Sequence, residues 1–476
     1  MKLNSIYFVL IFIIYPFHFL SAQETSTINI SGFIPADKIF ELLYVPFEVP
    51  EGTTEIVVTE EYDRMSDNVL NLGIYDPRGH KDGNVTGFRG WSGGAKKKFF
   101  ISEAAASTGY LPGRIHSGTW NILVYPSKIS AEGLNWKLTI VLRTGTHKKE
   151  FVLREGKQVI NHVPNWYRGD LHMHTLHSDG KRNTDELVAE AKEKKLDFIV
   201  STEHNTNSAN LSWGKYDTKK LLIINGEEVT TTRDGHWNAI GLAATTLVDW
   251  RYQPKDSLIK GQIEKVHIDN GLAIINHPFY DKGTRTFNFD EKEFDGIEIW
   301  NGYWNALNEK ALNWWDDLLK KGIFKIAIGA SDTHQTSGSN NNLGRPQTVV
   351  YAKGLSRHEV ISGIRSGRVY LAATDSAKLT FLISSGRNNA GIGELLSQEN
   401  TDPVTVHLKL EGCKNTTLKL IGSTGTIDTR KVNEDNVVLD FTIKRGDNSY
   451  LRTELRKANG DMTAMTNPVW LKPFKK

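Results

Sequence analysis

Cysteine is almost absent from the 476-residue chain, which contains only Cys413. A single thiol cannot form an internal disulfide, so no covalent cross-link stabilises the fold. The shortage of thiolates argues against a structural zinc site, which is commonly built from cysteines. A lipoprotein is excluded as well, because its lipid anchor requires a cysteine at the cleavage point.

An excess of one charge is also missing. The chain has 58 basic and 55 acidic residues, and its net charge is +3. Such a balance gives no large uniform field, so nucleic acid is not an expected partner. We find no internal repeats and no low-complexity tract, and the length predicts two to four domains.

The start of the chain has the layout of a signal peptide. Lys2 precedes an apolar run over residues 6–20, and the small residues Ser21 and Ala22 follow it. We predict a signal peptide over residues 1–22, cleaved after Ala22, and a protein exported to the periplasm or secreted. The alternative is a retained membrane anchor. The run is shorter than the roughly 20 residues that span a bilayer, so no stable anchor is expected.

Residues 28–144 read as short strands separated by turns rich in Gly, Pro and Asp. The segments TEIVVTEEY, NILVYP and WKLTIVLRT alternate or run apolar at strand length. This spacing predicts a β-sandwich domain over residues 23–150. The aromatic-rich loop at residues 112–120 has two interpretations, a ligand surface or a loop packed against a neighbouring domain.

From about Trp166 the pattern changes to strands that alternate with amphipathic helices. A helix is predicted over residues 184–195, with Thr184 as its N-cap, and a strand follows over residues 196–200. Further apolar runs recur at residues 221–224, 272–275, 296–300 and 323–328. The repetition predicts a β/α barrel-like domain over residues 160–375, with its active site at the carboxyl ends of the strands. Renewed β patterns predict a C-terminal β-sandwich domain over residues 376–476.

The first strand of this central domain ends in a His-x-His pair. His172 and His174 point to the same side because strand side chains alternate, and Asp179 follows in the next turn. The later apolar runs end in STEHN, NGEEVT, NHP and GASDTH, and the segment GHWN also follows one of them. Successive strand ends therefore deliver His and carboxylate groups to one rim. This mixture of ligands suits Zn, Mn or Fe.

These motifs resemble those of the PHP (polymerase and histidinol phosphatase) family over roughly residues 165–375. The ordered set is DLHMHTLHSDG, STEHN, GEEVT, NHP and GASDTH. The resemblance implies an α/β fold, a distorted (β/α)7-type barrel here flanked by the two sandwiches, and two or three divalent metal ions. By motif position it implies metal ligands at His172, His174, Asp179, His204, Glu228, His277, Asp332 and His334.

Two positions depart from the family pattern. Glu203 stands where the second motif usually has aspartate, which puts a role for residue 203 in doubt but leaves His204 intact. After Glu228 a further ligand histidine is expected, and both His236 and Asn238 lie where that ligand would be. We prefer His236 because imidazole is the better ligand.

The apolar N-terminus, the flanking sandwiches and the GRP segment at residues 344–346 resemble the exported, carbaryl-hydrolase-like branch of the family. Arg345 is the candidate contact for an anion, since guanidinium binds phosphate or carboxylate bidentately. Pairing with a loop carboxylate is the alternative. Arg285 and the Trp300-Asn301 pair are further candidates for the pocket lining, although Trp300 could also be a core residue.

The predicted activity is metal-dependent hydrolysis by a metal-activated hydroxide in a multinuclear site, most suitably of a phosphomonoester or phosphodiester. Cleavage of a carbamate, amide or ester at the same site is the alternative. A non-catalytic, exported glycan-binding protein is the third hypothesis. The expected substrate is a small-molecule or glycan-linked ester, and the candidate catalytic residues are Asp179, His204, His334 and Arg345.

Overall fold

The structure is a computed structural model that describes residues 24–63, 68–145, 149–216, 219–280, 286–334, 342–396 and 403–474. The predicted signal peptide and Arg285 lie outside the described residues. No helix in these ranges is long and apolar enough to cross a membrane. The described part of the chain is a mixed α/β structure that is rich in sheet.

The N-terminal part consists of eight strands in two four-stranded antiparallel sheets, with orders β1-β8-β3-β6 and β2-β7-β4-β5. In β8 buried residues alternate with exposed ones, as expected for a strand with one face on a core. Both sheets contribute to one apolar core, which contains Ile56 and Ile140 from the first sheet and Trp120 from the second. The strands are β1 (Thr25–Ile34), β2 (Leu43–Val49), β3 (Thr53–Tyr62), β4 (Val69–Tyr75), β5 (Phe88–Gly93), β6 (Lys98–Ser102), β7 (Gly118–Lys128) and β8 (Leu134–Thr144).

The loop at residues 112–120 is tied to its own sheet pair. The buried guanidinium of Arg89 donates hydrogen bonds to the carbonyls of Leu111, Gly113 and Arg114. Trp120 is fully buried, and its indole N–H donates to the His116 carbonyl over 2.7 Å. These bonds hold the loop against the N-terminal strands themselves.

The central part contains all four α-helices of the described residues. Its elements are β9 (Asn165–Asp170), α1 (Thr184–Glu193), β10 (Phe198–Ser201), β11 (Leu222–Thr230), β12 (His236–Ile240), α2 (Leu258–Ile268), β13 (Leu272–Ile275), β14 (Gly296–Asn301), α3 (Ala306–Lys320), β15 (Ile326–Ala330), β16 (Gln347–Ala352), α4 (Arg357–Arg365) and β17 (Val369–Ala372). Strands β10, β13 and β15 are buried along their whole length, as expected for strands covered on both faces.

The predicted start of α1 was one residue late. Asn183 is the N-cap, because its side chain accepts from the Glu186 backbone N–H while the Glu186 carboxylate accepts from the Asn183 N–H. Thr184 is the first helical residue, and its hydroxyl oxygen instead accepts a hydrogen bond from the Tyr216 hydroxyl.

Strands β9 to β15 lie side by side in chain order. Neighbours in this row are parallel, except that β12 runs antiparallel to both β11 and β13. The segments that follow β9 and β15 meet through a parallel bridge between Met173 and Thr333, and the Asp332 N–H donates to the His172 carbonyl over 2.8 Å. The first and last strands of the row therefore come together at the end where the histidine motifs lie.

Strand and helix alternate less regularly than the sequence pattern predicted. The connection from β10 to β11 contains two short 3-10 turns, Ala209–Leu211 and Trp213–Lys215. Part of it contacts the N-terminal sheets instead, since the Thr206 hydroxyl donates to the Gly109 carbonyl and the Gly109 N–H donates to the Ser208 hydroxyl. In the connection from β10 to β11, contact with the N-terminal part thus replaces the packing of a helix against the sheet.

The C-terminal part adds nine strands. Four of them form an antiparallel sheet of order β19-β18-β20-β23, whereas β25, β24, β21 and β22 extend the large central sheet from its edge at β17. The predicted domain boundary at residue 376 lies between β17 and β18, which belong to different sheets, although the later strand β25 pairs with β17. The strands are β18 (Lys378–Ser385), β19 (Asn388–Gly391), β20 (Val404–Glu411), β21 (Thr416–Gly422), β22 (Gly425–Val432), β23 (Asn436–Ile443), β24 (Tyr450–Arg456), β25 (Met462–Thr466) and β26 (Val469–Trp470).

Candidate metal centre

The nine predicted metal ligands lie together at one rim of the central strands. The parallel strands all end there, and the antiparallel β12 begins there with His236. Four overlapping groups form, in each of which the candidate ligand atoms are within 4.8 Å of one another. The groups are His174, Asp179, His204 and His334; His172, His277 and Asp332; His172, His174 and Glu228; and His204, Glu228 and His236.

Glu228 lies at the centre of this arrangement. Its Oε2 is 3.2 Å from His172 Nε2, 3.4 Å from His174 Nε2 and 2.9 Å from His204 Nδ1. Its Oε1 is 3.1 Å from His236 Nδ1 and 3.3 Å from His277 Nε2. One buried carboxylate therefore contacts five imidazoles through both of its oxygens.

Two further carboxylates complete the cluster on either side. Asp332 Oδ1 lies 3.3 Å from His172 Nε2 and 3.2 Å from His174 Nε2. Asp179 Oδ1 lies 3.7 Å from His204 Nε2 and 3.4 Å from His334 Nε2. Asp179 is the most open member, with 46% of its side chain exposed, whereas His172 and His174 are fully buried. The cluster thus extends from a closed interior to an accessible edge.

The backbone is strained at two of these positions. Asp332 has a φ of 50° and His277 a φ of 24°, both in the left-handed region that side-chain-bearing residues rarely adopt. Such conformations cost about 1–3 kcal/mol each and persist where the surroundings enforce them, often at functional sites. At both positions the strained backbone carries a side chain of the cluster.

The close packing of acids and imidazoles shifts their pKa values in opposite directions. Burial would raise the pKa of Glu228, but His172, His204 and His236 hold it well below its usual range. Burial would lower the pKa of His204, but Glu228 and Asp179 raise it to about 9. Burial and the neighbouring His334 and His204 lower the pKa of His174 to about 3. These perturbations mark a densely coupled group of charges.

The donor set fits divalent metal ions. His172 Nε2 and Glu228 Oε2 are buried and make no hydrogen bond among the described residues, although they face each other. A buried polar atom without a hydrogen-bond partner costs about 1–3 kcal/mol, so its retention needs a reason. Imidazole nitrogens and carboxylate oxygens are ligands of Zn, Mn and Fe, and a cation between them would satisfy both atoms.

Glu298 supports the cluster, although the sequence reasoning did not select it. Its Oε1 is 3.1 Å from His172 Nδ1, and its Oε2 accepts from the His277 backbone N–H and the Asn301 amide. A carboxylate on the second nitrogen of a ligand imidazole fixes the orientation of that ring. The sequence feature that could have identified Glu298 is the presence of an acidic residue within the buried apolar run GIEIW.

Asn276 is a second supporting residue that the sequence reasoning passed over. Its amide donates to Glu228 Oε1 over 3.0 Å. The sequence feature that could have identified Asn276 is its position beside His277, directly after the apolar run of β13.

The Glu203 carboxylate bonds to the turn between His174 and Asp179 instead of joining the ligand groups. Its carboxylate accepts hydrogen bonds from the Thr175 backbone N–H, the Thr175 hydroxyl and the Ser178 hydroxyl, over 3.1, 2.5 and 2.6 Å. It belongs to none of the four groups. Glu203 thus fixes the turn that carries Asp179.

The remaining candidates divide between the rim and the interior. His236 reaches Glu228, whereas the amide of Asn238 donates to the Leu171 carbonyl. Trp300 is buried and donates to the Gly302 carbonyl, so it is a core residue, but Asn301 donates to Asp332 over 3.2 Å. Arg345 is exposed, and within the described ranges no hydrogen bond or ion pair joins its guanidinium to the nine ligands.

Metal binding is expected to release protons at pH 7. In the metal-free protein the pKa of His204 is raised to about 9, so this imidazole is protonated at pH 7, and the pKa of His172 is also raised well above its usual value. A ligand imidazole must be neutral, so uptake of Zn²⁺ should release protons, and affinity should rise as the pH increases from 7 to 9. Calorimetric titration in buffers of different ionisation enthalpy measures this release, and heats independent of the buffer would contradict it.

Comparison with known proteins finds similarities of low identity to solved structures, three of which follow. No family model and no curated protein matches the chain. A two-domain protein from Bacteroides vulgatus, containing a predicted PHP-like metal-dependent phosphoesterase, is 19% identical with a TM-score of 0.39, covering 68% of this chain and 100% of its own. A protein from Bifidobacterium adolescentis, designated a metal-dependent phosphoesterase, is 16% identical with a TM-score of 0.30, covering 41% of this chain and 94% of its own.

The third is an amidohydrolase from Chromobacterium violaceum, whose structure has bound sulfate and no metal. It is 15% identical with a TM-score of 0.28, covering 37% of this chain and 90% of its own. At these low TM-scores the similarities carry no argument about the activity of this chain, which must be judged from its own site.

Proposed function

We propose that the chain is a PHP-type metal-dependent hydrolase that binds two or three divalent ions, Zn, Mn or Fe, and cleaves phosphate esters. The observation that carries this proposal is the convergence of six histidines and three carboxylates in four groups that overlap at Glu228, His172, His174 and His204. Shared ligands suit adjacent ions better than one isolated ion, because nine candidate ligands exceed the four that a zinc ion, or the six that an octahedral ion, commonly takes. The partly open edge of the cluster also favours a reactive role over a structural one.

Metal ions in such a site supply an activated water and stabilise charge on the attacking and leaving oxygens. The roles of the cluster residues can then be assigned from how exposed their side chains are. Asp179 and His334 are 46% and 32% exposed, so we assign them, with His204, to contact the substrate and to move protons. Asp170 accepts from the Gly344 N–H and so holds the loop that carries Arg345, which we retain as the contact for an anionic group.

The finer architecture belongs to the same proposal. We propose that β9 to β15 form a distorted seven-stranded barrel, which is supported by the bridge between the segments after β9 and β15. We also propose domain limits of 23–150, 160–375 and 376–476, with residues 1–22 removed on export. The GRP segment and the flanking β-rich regions support assignment to the exported, carbaryl-hydrolase-like branch.

The test combines metal analysis with three substrates. The purified mature protein should contain two or more ions per chain and hydrolyse an aryl phosphate or an aryl phosphodiester when supplied with Mn²⁺ or Zn²⁺. An aryl carbamate should be cleaved more slowly, because the proposed site stabilises charge on phosphate oxygens. Elemental analysis and release of the aryl chromophore provide the two measurements.

A variant with both His172→Ala and His174→Ala is the control, and it should lose metal and turnover while its N-terminal sheets stay folded. Turnover of the carbamate alone would replace phosphate chemistry by carbonyl chemistry at the same site. Bound metal without cleavage of any ester, together with retention on immobilised glycan, would favour the non-catalytic alternative. A protein without metal would overturn the proposal.

A further inference from the structure

Two separate clefts reach the ligand cluster, and they share no lining residue. The first, which we call the tyrosine cleft, has a volume of about 530 Å³ and adjoins His277, Glu298 and Asn301. The second, which we call the sandwich cleft, has a volume of about 560 Å³ and adjoins Asp179, His204 and His236. A reacting group at the cluster thus has space for a substituent in each of two places.

The tyrosine cleft presents aromatic rings to solvent. Tyr280 is 68% exposed and Tyr303 is 54% exposed, and both belong to its lining. The Tyr280 ring centroid lies 5.3 Å from that of the ligand residue His277. Exposed phenol rings beside a reactive centre are suited to stack on a planar group, such as an aromatic ring or the apolar face of a sugar.

The sandwich cleft has a different character, because one of its walls belongs to the N-terminal sheets. Ser127 of that wall and Thr232 and Lys181 of the central part are at least partly exposed in this lining. Asn71, Ser92 and Thr231 also line the cleft, but they are buried and hydrogen-bonded to Tyr125, Tyr110 and Gly235. Amides and hydroxyls both donate and accept hydrogen bonds. The accessible hydroxyls and the ammonium of this lining can therefore form hydrogen bonds with a group rich in hydroxyls, and Trp91 and Tyr125 of the same lining offer aromatic surface to its apolar face.

The wall is fixed in place by apolar packing and hydrogen bonds. Trp250 of the central part packs against both Trp91 and Tyr125 of the N-terminal sheets, with ring centroids 4.6 and 5.8 Å away. The Lys96 ammonium donates to the Leu176 carbonyl over 2.6 Å, beside the turn that carries Asp179. The N-terminal sheets thus form a permanent boundary of the site.

We infer that the substrate is a phosphodiester with a planar group in the tyrosine cleft and a hydroxyl-rich group, such as a sugar, in the sandwich cleft. This inference rests on the proposed phosphoesterase function. A monoester has one organic substituent and fills one cleft, whereas a diester fills both. In the reaction the oxygen of one water bonds to phosphorus, one P–O bond to an alkoxide breaks, and that alkoxide takes a proton, which leaves an alcohol and a monoester.

The test compares three chromogenic substrates on the metal-loaded protein: 4-nitrophenyl phosphate, methyl 4-nitrophenyl phosphate, and the 4-nitrophenyl phosphodiester of the glucose 6-hydroxyl. The two diesters carry the same charge and differ only in the second substituent. The sugar diester should exceed the methyl diester in kcat/KM by roughly 10-fold or more, as expected for a few added hydrogen bonds. It should exceed the monoester as well.

Two variants examine the clefts separately. Ala95 is exposed in the lining of the sandwich cleft, and Ala95→Trp should lower kcat/KM for the sugar diester roughly 10-fold more than for the methyl diester. Ala104→Trp, at an exposed position just after β6 and outside this lining, is the matched control. Tyr303→Ala should raise KM for the nitrophenyl diesters about 3- to 10-fold, and Tyr303→Phe should preserve it because the ring remains.

The outcomes separate this inference from the proposed function. Equal kcat/KM for the two diesters, or a monoester preferred to both, would overturn the inference and leave phosphoester hydrolysis standing. The same holds if Ala95→Trp and Ala104→Trp behave alike. Absence of turnover for all three phosphoesters in the metal-loaded protein would overturn both. If Ala95→Trp does not fold, the wild-type ratio of the two diesters decides.

Discussion

Glu228→Gln is expected to remove most of the bound metal and to lower turnover by roughly 10³-fold or more. Both carboxylate oxygens lie within 3.4 Å of histidine nitrogens, and all five of those imidazoles belong to the candidate ligand groups. A neutral amide keeps the shape but loses the charge that would hold adjacent cations together. Activation and charge stabilisation by metal are worth several kcal/mol, and each 1.36 kcal/mol is tenfold in rate.

Glu227→Gln is the matched control, since it makes the same change one residue earlier on the same strand. Glu227 is fully buried on the other face of β11, and its Oε2 accepts from the Val248 N–H over 2.9 Å. Burial raises its pKa well above the usual range, which favours the uncharged carboxyl, and an amide replaces that form without loss of charge. Metal content by elemental analysis should stay at the wild-type level in Glu227→Gln. Full metal content in Glu228→Gln would show that Glu228 is not a ligand.

The location of the site followed from the sequence because most of the ligand motifs lie at or just after the carboxyl end of a buried strand. When parallel strands end at one rim, residues such as His172, His204 and Asp332 come together there, and the structure of the connections between the strands does not change this. His236 was harder to choose, since it precedes a strand instead of following one. It reaches the rim because β12 runs antiparallel, a direction that apolar periodicity does not encode.

The relations between distant parts of the chain were the least predictable. The β patterns at both ends indicated strands, but nothing in their alternation indicated that β25 would pair with β17 and extend the central sheet. Likewise, the buried pair Asp249 and Arg251 lies in a segment with no motif. Such contacts depend on tertiary packing over long separations in sequence, whereas periodicity reports only which face of an element is buried.

Arg251→Ala is expected to lower the free energy of unfolding by about 3–5 kcal/mol and to loosen the N-terminal sheets from the central part. The guanidinium is fully buried and donates to the Tyr44 hydroxyl over 2.7 Å, to the carbonyls of residues 80, 81 and 84, and to the Asp249 carboxylate over 2.9 Å. Asp249 also accepts from the Gly83 N–H over 2.7 Å. Removing the cation leaves a buried carboxylate and several carbonyls unpaired, which is the costly way to break a buried pair.

Arg78→Ala is the control, because Arg78 also forms a forked pair with an aspartate, Asp76, but is 46% exposed. Asp76 is fully buried, but without Arg78 it keeps the buried Arg89 guanidinium 3.5 Å away, so Arg78→Ala should cost less than Arg251→Ala. Unfolding by urea, followed through tryptophan fluorescence, should report both changes, since Trp250 and Trp91 are in contact at the same boundary. Equal urea midpoints for Arg251→Ala and Arg78→Ala would show that the buried pair of Asp249 and Arg251 does not hold the N-terminal sheets to the site.

Loosening of the N-terminal sheets should also weaken the wall of the sandwich cleft. Arg251→Ala should therefore raise KM for the sugar diester more than for the methyl diester.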